Sequence, residues 1–321
     1  MIYSKYDFTV PKEKMIRVIT DSDAKNEADD QYAIVHTLLS PRFDNRGIIA
    51  AHFGDEKSRT SMEDSFQEIQ TILQLMNIAD DELAVQGASQ ALSDENTPKP
   101  SPGAELIIRE AMAKDPRPLF ITFLGPLTDI ASAYLMEPRI AETITVIWIG
   151  GGKYPLGGRE YNLSNDLHAA NVVFKSNIPV WQVPQDVYRR VMVSLAELEH
   201  RVKPYGKIGE YLFEQLVKWS QTPYAMRSPY RTGECWCLGD SPAVGLMLYE
   251  HEFHYDIIPA PELSLDMTYA YSTLHRSIRV YNYIDSRFVL EDFFSKLKLF
   301  TQKEASYRAR EEKKGNYEAS R

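Results

Sequence analysis

The feature that most constrains the fold of this chain is the alternation of short apolar runs with amphipathic stretches. Residues 119–124 and 143–149 are almost continuously apolar, as is typical of strands that are buried on both faces of a parallel sheet. Other strand-like runs occupy residues 15–20, 47–53 and 180–183, and helical patterns occupy residues 29–39, 58–76 and 167–175. The alternation predicts an α/β fold: an open, mostly parallel, Rossmann-like sheet with helices on both faces.

The length of the chain bears on its domain organisation. A chain of 321 residues fits either two domains or one large α/β domain. After residue 190, helical patterns at 195–202, 208–219, 243–249 and 287–300 alternate with strand-like segments at 253–265 and 277–283. Since no long linker divides the chain, we predict a single domain over residues 1–301. Residues 302–321 are predicted to form a charged tail, either solvated or a frayed helix.

Composition excludes several classes of protein. With 36 Lys and Arg against 45 Asp and Glu, the net charge of −9 makes polymeric nucleic acid and anionic membranes poor partners. No apolar run approaches the roughly 18 residues of a membrane span, and the first residues lack the pattern of a signal peptide. The single-residue spacing of Cys235 and Cys237 disfavours a disulfide. We therefore expect a cytoplasmic protein with reduced thiols.

Acidic residues are concentrated where the first predicted strand ends. Asp21, Asp23, Asp29 and Asp30 all lie within ten residues, at the kind of strand end where open parallel sheets bind ligands. Helix capping accounts for one or two of them, and a solvated loop is the alternative for the rest. Crowded carboxylates repel each other unless a cation neutralises them. An oxygen-only, multi-carboxylate loop suits Ca²⁺ better than Mg²⁺.

Further motifs follow this cluster in a fixed order. They are the 124–131 stretch LGPLTDIA, the 148–152 stretch WIGGG, Glu160-Tyr-Asn162 with Asp166 after it, and Asp240 at the head of a late helix. With the two aspartate pairs, this set resembles the inosine/uridine-type nucleoside hydrolases over roughly residues 15–250. The resemblance implies a sheet of the nucleoside hydrolase type.

The resemblance also implies a metal site. In that family one Ca²⁺ binds at the strand ends and is chelated by the 2′- and 3′-hydroxyls of a ribofuranoside. The metal ligands implied by matching motifs are Asp23, Asp30, Asp240 and the main-chain carbonyl of Leu124. Asp23 is also the implied general base, which takes a proton from a metal-bound water.

Further residues are implied to bind the sugar. Asp29 is matched to a ribose hydroxyl, and Glu160 and Asn162 to the 3′ and 5′ side of the sugar, with Asp21 supporting the site from behind. A plain structural role remains the alternative for several of these residues. Asp240 would then be a simple helix cap, and Glu160 and Asn162 would make local turn contacts.

The sequence departs from the family pattern near the first acidic cluster. Two extra residues separate Asp23 from Asp29, so that Asn26 or Glu27 is a further candidate ligand. The same insertion leaves the division of roles between Asp21 and Asp23 open.

Two further departures concern single positions. Asp55 stands where the family often has Asn, and we interpret it either as a substrate-binding acid or as a surface acid. Gly239 stands where the family commonly has the His that is proposed to protonate the departing base. That role would then pass to Cys237, to Trp236 or to a Tyr or Arg of residues 224–231, unless the substrate needs no such acid.

The leading hypothesis is a glycosidase of the nucleoside hydrolase type. It would be a Ca²⁺-dependent hydrolase that cleaves the N-glycosidic bond of ribonucleosides to ribose and free base in purine or pyrimidine salvage. One alternative is a non-catalytic ribofuranoside-binding protein, which the loss of the His at Gly239 favours; another is a hydrolase of a different ribofuranoside. The expected partner is a small nucleoside, and a homodimer or homotetramer is carried over from the family.

Overall fold

The apolar runs form the centre of a mostly parallel sheet in a computed structural model of the chain. The structure describes residues 6–78, 82–227, 233–249, 253–272 and 275–319, with side chains described as far as residue 302. Its strands are β1 (Ile16–Ser22), β2 (Phe43–Ala50), β3 (Ala84–Gln86), β4 (Leu119–Phe123), β5 (Ile144–Ile149), β6 (Val180–Val183), β7 (Met192–Ser194), β8 (Cys235–Cys237), β9 (Tyr255–Pro259), β10 (Pro261–Leu263), β11 (Tyr269–Tyr271) and β12 (Ser277–Tyr281).

Eight of these strands make the main sheet of the described residues, in the order β3-β2-β1-β4-β5-β6-β12-β9. Every neighbouring pair is parallel except β12 and β9, which are antiparallel, so that β9 closes one edge. The short strands pair separately as β7 with β8 and β10 with β11. The predicted open, mostly parallel sheet is therefore confirmed.

Helices cover both faces of the sheet, which explains why its central strands are apolar at nearly every position. The α-helices are α1 (Asp30–Leu39), α2 (Ser61–Leu75), α3 (Pro102–Ala111), α4 (Thr128–Met136), α5 (Tyr161–Asn165), α6 (Leu167–Lys175), α7 (Gln185–Tyr188), α8 (Leu195–Arg201), α9 (Gly206–Ser220), α10 (Pro223–Met226), α11 (Ser241–Leu248) and α12 (Ser286–Ala319). Buried residues of α3, α4 and α6 pack against one face, and buried residues of α1, α2, α11 and α12 lie on the other. No helix of the described part is both long and apolar enough to cross a membrane.

The strand order reverses between β1 and β4. From β1 the chain continues outward to β2 and β3, and β4 then starts the other half of the sheet on the opposite side of β1. The two strands end side by side, since Asp21 is paired with Phe123 and the Leu124 N–H donates to the Asp21 carbonyl at 2.9 Å. Such a reversal opens a crevice at the carboxyl ends of the strands, where α/β proteins bind ligands.

Some element bounds differ from their predictions. The second strand begins at Phe43 instead of residue 47 because Phe43, Asp44 and Asn45 are also paired with β1, before a register shift at Gly47. The strand-like segment at 253–265 is two strands, β9 and β10, in different sheets. The closing helix α12 continues to Ala319, so that residues 302–319 are the end of this helix.

Candidate active site

A cavity of about 520 Å³ opens at the carboxyl ends of β1 and β4. The predicted site residues that line it are Asp23, Asn26, Asp29, Asp30, Leu124, Glu160, Asn162 and Asp240. The sheet reversal thus brings together acids that lie up to 217 positions apart, from Asp23 to Asp240 (240 − 23 = 217). Asp21 lies outside the lining, fully buried at the end of β1.

Three buried carboxylates meet in this cavity. Asp29, Asp30 and Asp240 each offer an oxygen, and these oxygens all lie within 4.8 Å of one another. Asp29 and Asp240 stand at the N-cap positions of α1 and α11, but neither carboxylate makes a capping hydrogen bond. The side chain of Asp240 is therefore not a simple helix cap, because it faces the other two acids.

Asp23 lies beside this cluster with its carboxylate deeply buried. It is 1 % exposed, and neither of its oxygens has a hydrogen-bond partner among the described residues. The loop after β4 approaches Asp23 closely: a Cβ added at Gly125 would lie only 3.0 Å from the Asp23 Cγ. A buried carboxylate without donors is costly unless it is protonated or faces a cation.

Burial governs the protonation of the four acids. It raises the pKa of Asp23, Asp29 and Asp240 well above the usual value for aspartate, and it raises the pKa of Asp30 to about 7. The neighbouring acids raise the pKa of Asp23, Asp29 and Asp240 further, since each charge repels the others. A cation would reverse this tendency, and an all-oxygen donor set of this kind fits a hard cation such as Ca²⁺.

Asn162 fixes the end of β4 next to the acids. Its Nδ2 donates to the Leu124 carbonyl at 2.7 Å and to the Ile149 carbonyl at 2.8 Å, which ties the loop after β4 to the last residue of β5. A carbonyl oxygen has two lone pairs, so that the Leu124 oxygen keeps one for a second partner.

Glu160 is held by the chain at both of its carboxylate oxygens. Oε1 accepts from the Tyr188 hydroxyl at 2.8 Å and from the Asn162 N–H at 3.2 Å. Oε2 accepts from the N–H groups of Gly151 at 2.8 Å and Leu163 at 2.9 Å. Glu160 thus caps α5, and its orientation in the cavity wall is fixed by four donors.

Asn26 and Asp55 lie in different surroundings. Asn26 is buried in the cavity wall, and its N–H donates to the Asp23 carbonyl at 2.7 Å, so that the longer loop folds back on Asp23. Asp55 is exposed and is not among the lining residues of the cavity, which corresponds to the surface interpretation of this acid.

Gly239 contacts the acid cluster through its main chain. Its N–H donates to Asp29 Oδ2 at 2.9 Å. A Cβ at this position would lie 3.1 Å from both Asp29 Oδ2 and Tyr188 Cδ2. This chain therefore has little room for a histidine there. Among the other candidates for the leaving-group acid, Cys237 and Tyr224 line the cavity, whereas Trp236 is 1 % exposed and does not; residues 228–232 lie outside the described ranges.

Comparison with known proteins identifies the arrangement. The family model described as "Inosine-uridine preferring nucleoside hydrolase" matches residues 18–296, which extend from within β1 to within α12 and include every acid of the cavity. The chain belongs to this family.

Curated relatives of this nucleoside hydrolase family member are distant. The pyrimidine-specific ribonucleoside hydrolase RihA of Salmonella arizonae is 27% identical over 207 residues, which cover 57% of this chain and 64% of RihA. The probable uridine nucleosidase 2 of Arabidopsis thaliana is 25% identical over 244 residues, covering 67% of this chain and 74% of the relative. The match thus spans less than two thirds of RihA.

Solved structures support the fold. The purine-preferring ribonucleoside hydrolase from Gardnerella vaginalis superimposes with a TM-score of 0.71 over 89% of this chain and 99% of its own, at 20% identity. At 20% identity this similarity shows that the two proteins share a fold, and it shows nothing further about this nucleoside hydrolase family member.

Lys57 is a residue of the cavity that the sequence analysis missed. Its Nζ donates to the main-chain carbonyl of Asn26 at 3.2 Å and to Asn26 Oδ1. The same atom lies 4.3 Å from the ring centroid of Tyr161 and 4.2 Å from that of Tyr224. Its positive charge opposes the rise in the pKa of Asp23. A lysine three residues after Gly54, in the loop that follows β2, was the available signal.

Replacement of this lysine tests its contribution to the site. A Lys57→Met variant keeps most of the apolar stem but loses the donor to Asn26 and the charge near Asp23. We expect kcat/KM for a cleaved nucleoside to fall about tenfold, the effect of one lost charge-assisted hydrogen bond. The matched control is Lys25→Met, because Lys25 pairs with Glu68 at 2.5 Å outside the cavity lining. Equal losses in the two variants would contradict a role specific to Lys57.

Proposed function

We propose that this protein hydrolyses the N-glycosidic bond of ribonucleosides, releasing ribose and a free base, with Ca²⁺ as its cofactor. The observation that carries the proposal is the buried carboxylate of Asp23, which has no donor among the described residues and lies beside three mutually adjacent carboxylates in the cavity. The family supports hydrolysis of ribonucleosides as the reaction class.

The cofactor proposal rests on the chemistry of the donor set. The residues that would hold the cation are Asp23, Asp30, Asp240 and the Leu124 carbonyl. Asp29 is a further candidate, because one of its oxygens lies within 4.8 Å of oxygens of Asp30 and Asp240. When bound, a hard cation of this kind lowers the pKa of a coordinated water and orients the ribose diol. Ca²⁺ accepts the larger number of oxygen ligands that this cavity offers.

The side chains of the cavity have separate roles in the proposed reaction. Asp23 takes the proton of the attacking water as that water adds to C1′ of the ribose. As the bond to the base breaks, positive charge develops on the sugar, and the carboxylates of Asp29 and Glu160 stabilise it. Asn162 holds Leu124 and the sugar-binding wall in place through its two hydrogen bonds.

The departing base is proposed to lie near Lys57 and Tyr224, which contact each other in the cavity wall. The base preference is left to experiment, because the relatives are named for pyrimidine nucleosides, for uridine and for purine nucleosides. Cytoplasmic location and assembly as a homodimer or homotetramer stay predictions.

A substrate panel tests the proposal. The purified protein with Ca²⁺ is incubated with uridine, cytidine, inosine, adenosine and guanosine, and free base and reducing sugar are followed. We expect ribose release from at least one nucleoside. If all five bind calorimetrically but none releases ribose, the proposed hydrolysis of free ribonucleosides is wrong, and the result favours the non-catalytic ribofuranoside-binding alternative.

A further inference from the structure

The cavity has a cationic side that the hydrolysis of a neutral nucleoside does not use. Arg159 and Arg189 both line it, one directly before Glu160 and the other directly after Tyr188. Since the Tyr188 hydroxyl donates to Glu160 at 2.8 Å, the two arginines are the chain neighbours of a hydrogen-bonded pair in the cavity wall, here called the Glu160–Tyr188 wall. Arg227 adds a third guanidinium to the lining.

The nearest carboxylate of this wall is already occupied. Four donors of the chain fill the oxygens of Glu160, and a carboxylate offers about four lone-pair positions. Arg159 forms no ion pair within the described ranges, although the floor of the cavity is strongly acidic. The guanidinium of Arg159 is thus not placed there to neutralise the acids.

The position of these arginines relative to a bound sugar follows from the proposed function, on which this step rests. The diol of the ribose faces the acidic floor, and the substituents at C1′ and C4′ point away from it. Glu160 is proposed to lie on the 3′ and 5′ side of the sugar. The guanidinium groups beside Glu160 then face the C5′ substituent. A hydroxyl needs one hydrogen-bond partner, whereas two arginines match the charge and the several acceptor oxygens of a phosphate.

We propose that the substrate of this enzyme carries a phosphate on C5′ of the ribose, so that the reaction is hydrolysis of a ribonucleoside 5′-monophosphate. Water adds its oxygen to C1′, the bond from C1′ to the base nitrogen breaks with its electron pair on the base, and the base gains a proton. The products are ribose 5-phosphate and free base, and the phosphate ester is unchanged. Arg159 and Arg189 bind the phosphate and do not act on the reacting bond.

Paired substrates test the proposal. Uridine and inosine are compared with their 5′-monophosphates, and free base is measured by chromatography. We expect kcat/KM for the preferred monophosphate to exceed that of its nucleoside by about tenfold or more, as two charge-assisted contacts would provide. Arg159→Ala and Arg189→Ala should each lower the monophosphate value about tenfold or more and lower the nucleoside value much less. The matched control is Arg190→Ala, since Arg190 is exposed and does not line the cavity; it should change neither value.

The outcomes separate this inference from the proposed function. If nucleosides are cleaved at least as well as their monophosphates, or if the arginine variants keep the monophosphate preference, the inference is wrong and the hydrolase proposal stands. If no substrate is cleaved, the hydrolase proposal fails, and calorimetry with ribose and ribose 5-phosphate decides the remaining part of the inference, that the arginines bind a 5′-phosphate. Tighter binding of ribose 5-phosphate that is lost in Arg159→Ala would support it, and equal binding of the two sugars would overturn it.

Discussion

An Asp23→Asn variant is expected to lose about three orders of magnitude in kcat, because the amide cannot accept the proton of the attacking water. The change is nearly isosteric and removes a carboxylate that has no donor among the described residues. Burial of that carboxylate as an anion disfavours folding, so the variant should unfold at the same temperature as the wild type or above it. Initial rates of base release at saturating Ca²⁺ and thermal unfolding of the chelator-treated protein measure the two effects.

Asp21→Asn is the matched control for this variant. Asp21 is as deeply buried, and its oxygens likewise have no partner in the described part of the chain, but it lies outside the cavity. Burial and the charges of Asp129 and Asp23 raise its pKa, so an amide resembles its preferred neutral form. We expect a loss of less than about tenfold. Equal losses in both variants, or recovery of Asp23→Asn at higher Ca²⁺ concentration, would contradict the role of Asp23 as base.

The parts of the fold that could be predicted from sequence are those with a local cause. A strand that is covered on both faces must be apolar throughout. The apolar runs therefore predicted the ends of β4, β5 and β6 to within a residue or two. By contrast, β3 has only three residues and its pairing with β2 supplies its stability, so no local pattern marks it. The helix α3 was missed although Ser101 caps it by accepting from the Ala104 N–H at 2.9 Å.

The candidate site likewise has a part that local sequence predicts and a part that depends on contacts between distant segments. The positions of Asp23, Asp29 and Asp30 follow from a strand end and a helix start that are adjacent in sequence. The contacts of Lys57 with Asn26 and Tyr224 join segments that are 31 and 167 positions apart (57 − 26 = 31; 224 − 57 = 167), and no spacing rule relates them. Packing of the loops decides such contacts, so they need the folded structure.

Removal of divalent cations is expected to destabilise the protein, and more strongly as pH rises from about pH 6.5 to about pH 8. Burial raises the pKa of Asp30 to about 7, far above its value of about 4 in an unfolded chain. In this interval the folded state therefore holds protons that the unfolded state has released, and the free energy of unfolding falls as pH increases. The buried His36, whose pKa burial lowers to about 4, contributes a change of opposite sign only below about pH 6.5.

A bound cation should reverse this trend, since it binds the carboxylate form and its affinity rises with pH. We expect the increase in unfolding temperature between chelator-treated and Ca²⁺-loaded protein to be larger at about pH 8 than at about pH 6.5, and larger with Ca²⁺ than with Mg²⁺. Asp240→Asn should reduce the increase because it removes one of the three adjacent carboxylates, whereas the exposed Asp55→Asn should leave it unchanged. An increase that is independent of pH, or that survives Asp240→Asn in full, would mean that the cation binds elsewhere.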